Sequence, residues 1–227
     1  MIVAIHQPNY LPWLGYFRKI ADADAFVFLD DAQFTKNSYI NRTRVLNAGK
    51  PRWLTIPVSV SLGQSIDQVA PARPDWRAAH LDSLKGFYAQ TPNFREGFAL
   101  LRDLFESAPT DSLAAINRHL IEGISDILGL TTRFHTSSEL GATDLSADDR
   151  LIALCRKLDP APMYLSGRGG ANYQDPVKFS TAGVGLRYTD FMPKPYPQIG
   201  GDFVPGLSVV DALFNIGVEG TRAALTA

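Results

Sequence analysis

The strongest constraint on this chain lies between Ile2 and Asp31. Ile2 to Ile5 is a short apolar run rich in β-branched residues, bounded by His6-Gln7 and Pro8. That pattern predicts a buried strand. Pro12 precedes Trp13-Leu14-Gly15-Tyr16-Phe17-Arg18-Lys19-Ile20-Ala21, which reads as a helix. Proline is tolerated in a first helical turn, where its missing N–H had no partner anyway. Phe26-Val27-Phe28-Leu29 is a second strand, and it stops at Asp30-Asp31. Strand, loop, helix and strand form one crossover unit of a parallel sheet.

The alternation is interrupted and then resumes. Gln33 to Asn47 is polar and basic, and Trp53 to Val58 reads as a strand with Pro57 at its exit. Residues 75–128 carry three helical patterns, the last ended by Gly129. Thr132 to His135, Met163 to Leu165 and Val184 to Tyr188 are strand-like, and Ser146 and Ser208 precede helices. The expected fold is α/β: a mostly parallel three-layer sheet, Rossmann-like, with a helical insertion at about 75–128 in a single domain over 1–227. Its 227 residues suffice for a sizeable core without disulfides.

Charge and cysteine content narrow the function classes. With 22 Lys+Arg against 23 Asp+Glu the formal charge is -1, which argues against a dedicated nucleic-acid binder. One Cys excludes an intramolecular disulfide, and no Cys/His spacing points to a zinc site, so no metal ligand is assigned. No apolar run is long enough to span a membrane. The start lacks a basic signal-peptide region, and the expectation is a cytoplasmic protein.

Ligands of open parallel sheets bind beyond the carboxyl ends of the strands. His6-Gln7-Pro8-Asn9-Tyr10, Asp30-Asp31, His135 to Ser138 and Ser166-Gly167-Arg168-Gly169-Gly170 all follow strands. His6 is the candidate proton shuttle; the alternative is a histidine that only caps a strand. Asp30 is the candidate orienting carboxylate, or a turn former. Lys36, Arg42 and Arg44 form a cationic run without acids, suited to phosphate or to a solvated loop. The turn at Ser166 and Gly167 offers backbone N–H groups to an anion but is neither GxGxxG nor a Walker A loop. Gln7, Asn9, Tyr10, Asn41 and Tyr173 complete the candidate substrate contacts, and His6, Asp30, Arg42 and Ser166 are expected to line one cleft.

From His6-Gln7-Pro8-Asn9-Tyr10-Leu11-Pro12-Trp13-Leu14-Gly15-Tyr16-Phe17 onward the chain resembles the WbqC-like family. The likeness extends to Asp30-Asp31-Ala32-Gln33-Phe34, Asn41-Arg42, Trp53 to Val58, Tyr164 to Gly167, Tyr196-Pro197-Gln198 and Leu207 to Asn215. The resemblance implies a role in bacterial surface-polysaccharide, notably O-antigen, biosynthesis around a nucleotide-linked amino sugar. In architecture the chain also resembles nucleotidylyltransferases. Their His-x-Gly-His motif would fall on Trp13-Leu14-Gly15-Tyr16, where both histidines are absent. The expected activity is group transfer to a nucleotide-linked sugar, with a small-molecule partner and no cofactor assigned. The alternatives are an ATP-dependent amide-forming ligase and a non-catalytic sugar- or nucleotide-binding module.

Overall fold

The computed structural model describes residues 1–142 and 144–226. Strand β1 (Ile2–His6) leads through α1 (Leu14–Ala21) to β2 (Ala25–Phe28). A hairpin follows, β3 (Arg42–Asn47) and β4 (Lys50–Thr55), and then three helices, α2 (Trp76–Tyr88), α3 (Phe94–Ser107) and α4 (Leu113–Ile127). The crossovers resume with β5 (Arg133–Thr136), α5 (Ser137–Leu140), α6 (Ala147–Leu158), β6 (Met163–Ser166), α7 (Pro176–Thr181) and β7 (Gly185–Tyr188). Helix α8 (Val209–Thr226) closes the order, kinked where Gly217 takes a φ of 71°. The five-stranded sheet has the order β5-β2-β1-β6-β7, and all its pairs are parallel.

Strand alternation divides the core into two layers on either side of this sheet. Ala4, Phe26, Phe28 and Leu165 face one way and pack with Phe17 of α1, Leu120 of α4 and Phe214 of α8. Val3, Ile5, Val27 and Tyr164 face the other way, toward Leu154 and Cys155 of α6 and Phe179 of α7. Successive side chains of a strand point to opposite faces, so an almost continuous apolar run is what a doubly covered strand requires. The fold is thus a Rossmann-like three-layer α/β sheet, and the helical insertion stands at α2–α4.

The hairpin departs from the sequence expectation. Gln33 to Asn47 reads as a polar connection and Trp53 to Val58 as a strand, but Arg42–Asn47 and Lys50–Thr55 pair antiparallel outside the main sheet. Thr43 and Val45 are buried and alternate with the half-buried Arg42 and Arg44, a period of two hidden by the charges. The turn is Ala48-Gly49, both at positive φ (47° and 72°). Such a two-residue turn matches the strand twist.

The insert braces the loop after β1. Asn117 of α4 is fully buried, and its Nδ2 donates to the carbonyls of Pro8 (2.9 Å) and Ile40 (2.7 Å). Tyr10, also fully buried, meets His80 of α2 through its hydroxyl at 2.7 Å. No helix among the described residues is long and apolar enough to cross a membrane.

Candidate active site

In this strand order the chain leaves β1 toward β2 and leaves β6 toward β7, so the topological switch point lies between β1 and β6. Their paired register ends at Ala4 opposite Leu165. Beyond it stand His6 on one side and Ser166-Gly167 on the other. Two cavities open here, and His6 lines both. One, about 270 Å³, is bounded by Asn9, Trp13, Gly15, Tyr16, Lys19, Gly167, Arg168, Thr189, Phe191 and Met192. The other, about 430 Å³, is bounded by Gln7, Gln33, Arg150, Tyr164 and Tyr173, with Leu145 and Leu151 among its apolar walls. A further cavity of about 670 Å³ lies at the start of β5, near Asp24 and Arg133. That is the amino end of the parallel strands, where open sheets do not place their ligands.

His6 has a defined tautomer. Its Nδ1 lies 3.0 Å from the Gln7 carbonyl, which can only accept, so Nδ1 carries the proton and Nε2 is left as the acceptor. The ring packs edge-on to Tyr16, with centroids 4.9 Å apart. Tyr16 in turn donates its hydroxyl to the same Gln7 carbonyl at 2.9 Å. Burial pushes His6 down to about 4, the charge of Lys19 adds to that, and the bond to Gln7 opposes it. The imidazole is therefore uncharged at neutral pH.

Lys19 is a site residue that spacing did not single out. It is only 4% exposed, and its Nζ donates to the Ile5 carbonyl at 2.8 Å. Burial lowers it to about 7. The available signal was its place on the apolar stripe of α1, between Phe17 and Ile20, where a lysine is out of pattern. Gly15 has a steric role: a Cβ there would run into the Trp13 ring, so glycine lets the indole lie across the helix start and wall the smaller cavity. Arg150, paired with Asp31, is a second cavity residue outside the sequence candidates.

Of the sequence candidates, His6, Gln7, Asn9, Gly167 and Tyr173 line these two cavities. Ser166 is buried just beneath, with its Oγ against Gly170. The expectation of one shared cleft does not extend to the rest. Asp30 accepts from Ser137 Oγ (3.0 Å), from Ser138 N (3.1 Å) and from Ser138 Oγ, tying β2 to the start of α5. It borders a separate cavity of about 190 Å³ with Ser112 and Arg118. Tyr10 is spent on His80, and Asn41 Nδ2 on the Ile56 carbonyl (3.0 Å). Arg42 sits on the hairpin, its guanidinium 4.1 Å over the Trp53 ring and hydrogen-bonded to the Asn37 carbonyl. Lys36 is exposed in the preceding loop. For Asp30, Tyr10 and Asn41 the reason is that side-chain polar atoms found partners elsewhere along the chain.

The family model described as "WbqC-like protein family" matches residues 7–223. The chain belongs to the WbqC-like family. It is also similar to the protein named "Uncharacterized protein Rv1507c" of Mycobacterium tuberculosis, 34% identical over 220 residues, covering 96% of this chain and 94% of that protein. No solved structure matches. Four of the segments that carry the WbqC-like resemblance gather at two places. His6 to Phe17 and Tyr164 to Gly167 surround the crevice. Tyr196-Pro197-Gln198 and Leu207 to Asn215 instead meet at a buried carboxylate: Asp211 accepts from Tyr196 (2.8 Å), Gln198 (2.8 Å) and Tyr88 (3.0 Å).

Proposed function

We propose that this WbqC-like chain is a group transferase acting on a nucleotide-linked sugar, of the kind used in bacterial surface-polysaccharide biosynthesis. The observation that carries the reading is the pair of cavities meeting at His6 over the switch point. In this reading the nucleotide end lies in the smaller cavity. Trp13 and Phe191 offer ring faces there, and Lys19, Arg168 and the Gly167 backbone are suited to phosphate. The sugar reaches past His6 into the larger cavity, where Gln7, Gln33 and Tyr173 supply hydrogen-bonding groups. His6 Nε2 accepts the proton that the sugar's amine or hydroxyl loses as it bonds to the acyl carbon of a donor, whose bond to its carrier breaks and whose carrier leaves with the electron pair. Phosphate beside Lys19 offsets the charge that helps hold His6 down and so strengthens it as a base. Residues 1–227 act as one domain, in the cytoplasm.

The test incubates the protein with nucleotide-linked amino sugars and acetyl, glycine or ATP donors and follows product mass. A mass gain on the sugar nucleotide supports transfer. Pyrophosphate release that requires both ATP and an acid would replace transfer with amide ligation. Tight binding without any product would leave a binding module. His6→Gln should keep the fold and binding but lower turnover on the order of 10²–10⁴-fold. Full activity in that variant would remove His6 from the chemistry.

A further inference from the structure

The Lys19 amine is an unusual feature of the crevice. A lysine stem can lie along apolar surface while its head reaches water, but here the head itself is buried, with the residue 4% exposed. Buried charges in proteins are paired. Among the described residues Lys19 has no carboxylate partner, and its hydrogen bond is to the Ile5 carbonyl. The titratable groups facing it come from every neighbouring layer: His6 on β1, Tyr164 on β6, with its ring centroid 5.9 Å from Nζ, and Cys155 on α6. None of these is an anion at neutral pH, since burial raises both Tyr164 and Cys155. Lys19 lines the cavity together with Gly167 and Arg168. A buried donor with capacity to spare, at a sheet switch point beside a glycine-rich turn, is complementary to an oxyanion.

We propose that Lys19 is the phosphate receptor of the crevice and that a phosphate or pyrophosphate group enters together with a proton, which Lys19 Nζ takes up from solvent. The inference rests on the reading of the crevice as a nucleotide site and adds to it the group that holds the anion and a proton linkage. Burial favours the neutral amine, and an adjacent polyanion favours the ammonium, so binding must shift the proton equilibrium. The direction follows from Lys19 being lowered to about 7: near pH 8 the amine is largely neutral before binding, so net proton uptake should be larger there than at pH 6. At pH 6 uptake should be small, because the amine is already charged.

Calorimetric titration of the intact protein with inorganic pyrophosphate and with UDP, at pH 6 and pH 8 in PIPES and Tris buffers, separates proton transfer from the heat of binding. Net proton uptake at pH 8, less at pH 6, and a clear reduction of that difference in Lys19→Met are the expected results. The wild-type proton count does not depend on whether that variant folds. Binding of both ligands without uptake would overturn the role of Lys19 and leave the nucleotide reading standing. Uptake with pyrophosphate but no binding of UDP would keep the anion receptor and overturn the nucleotide reading. If neither ligand binds, both fall.

Discussion

Lys19 works against the stability of the fold wherever it is charged. Its folded-state value of about 7 lies below the ordinary 10.5 because of burial. Below pH 7 both folded and unfolded chains hold the proton, and the cost of the buried charge stands in full. Between pH 7 and 10.5 the unfolded chain still holds a proton that the folded chain has lost. Stability therefore rises with pH in that window. The wild type should gain about 2 kcal/mol on Lys19→Met between pH 7 and pH 9, read as the difference in urea unfolding free energies. At pH 7 the variant should be the more stable of the two. Equal pH slopes would mean that the amine is hydrated and unshifted.

At the scale of elements, the crevice depends on the loop from Phe191 to Gly206, which supplies Phe191 and Met192 to the smaller cavity. Little regular structure holds this loop; Asp211 at the start of α8 does. Its fully buried carboxylate gathers the hydroxyls of Tyr196 and Tyr88 and the Gln198 amide, and Tyr88 in turn accepts from the Leu46 amide at 2.6 Å. Loop, insert helix α2, hairpin strand β3 and α8 are joined at this one group. Burial raises the Asp211 pKa, and the three donors pull it back. Asp211→Ala leaves several buried donors without an acceptor, each costing about 1–3 kcal/mol. A loss of at least about 3 kcal/mol in urea unfolding is expected, with faster hydrogen exchange at the Ile199 and Val204 amides, which bond to Asn215 and Gln198. Unchanged exchange there would show that the loop is held by its apolar contacts instead.

Across the whole molecule, the cations stand in different places. Lys19 and Arg168 border the crevice, whereas Arg42 lies on the hairpin against Trp53. Arg42→Ala should therefore leave pyrophosphate and UDP affinity within about twofold of the wild type, because Arg42 lines neither cavity and its guanidinium is engaged by Trp53 and Asn37. A tenfold loss in the same calorimetric titration would put the hairpin back into the site. The helical insert likewise has a structural role in this fold. Asn117 and His80 meet the loop after β1 at Pro8 and Tyr10, so α2 and α4 hold the chain segment that carries Asn9 to the cavity.

The parallel sheet, the helical insert and the place of His6 at a strand end were legible in the sequence. Each is written in short-range pattern: apolar runs, helical spacing, and a polar break where a strand stops. Five of the candidate contacts also reached the two cavities, because the loops that follow parallel strands share one end of the sheet. What only the tertiary structure decided is which polar groups remain free for a ligand. Tyr10 is consumed by His80, Asp30 by Ser137 and Ser138, and Arg42 by Trp53 and Asn37. Lys19, on the apolar stripe of a helix, is isolated by β1, β6 and α6 closing around it. A buried polar atom must find a partner, but that partner can lie anywhere along the chain, so no local pattern records whether it has one.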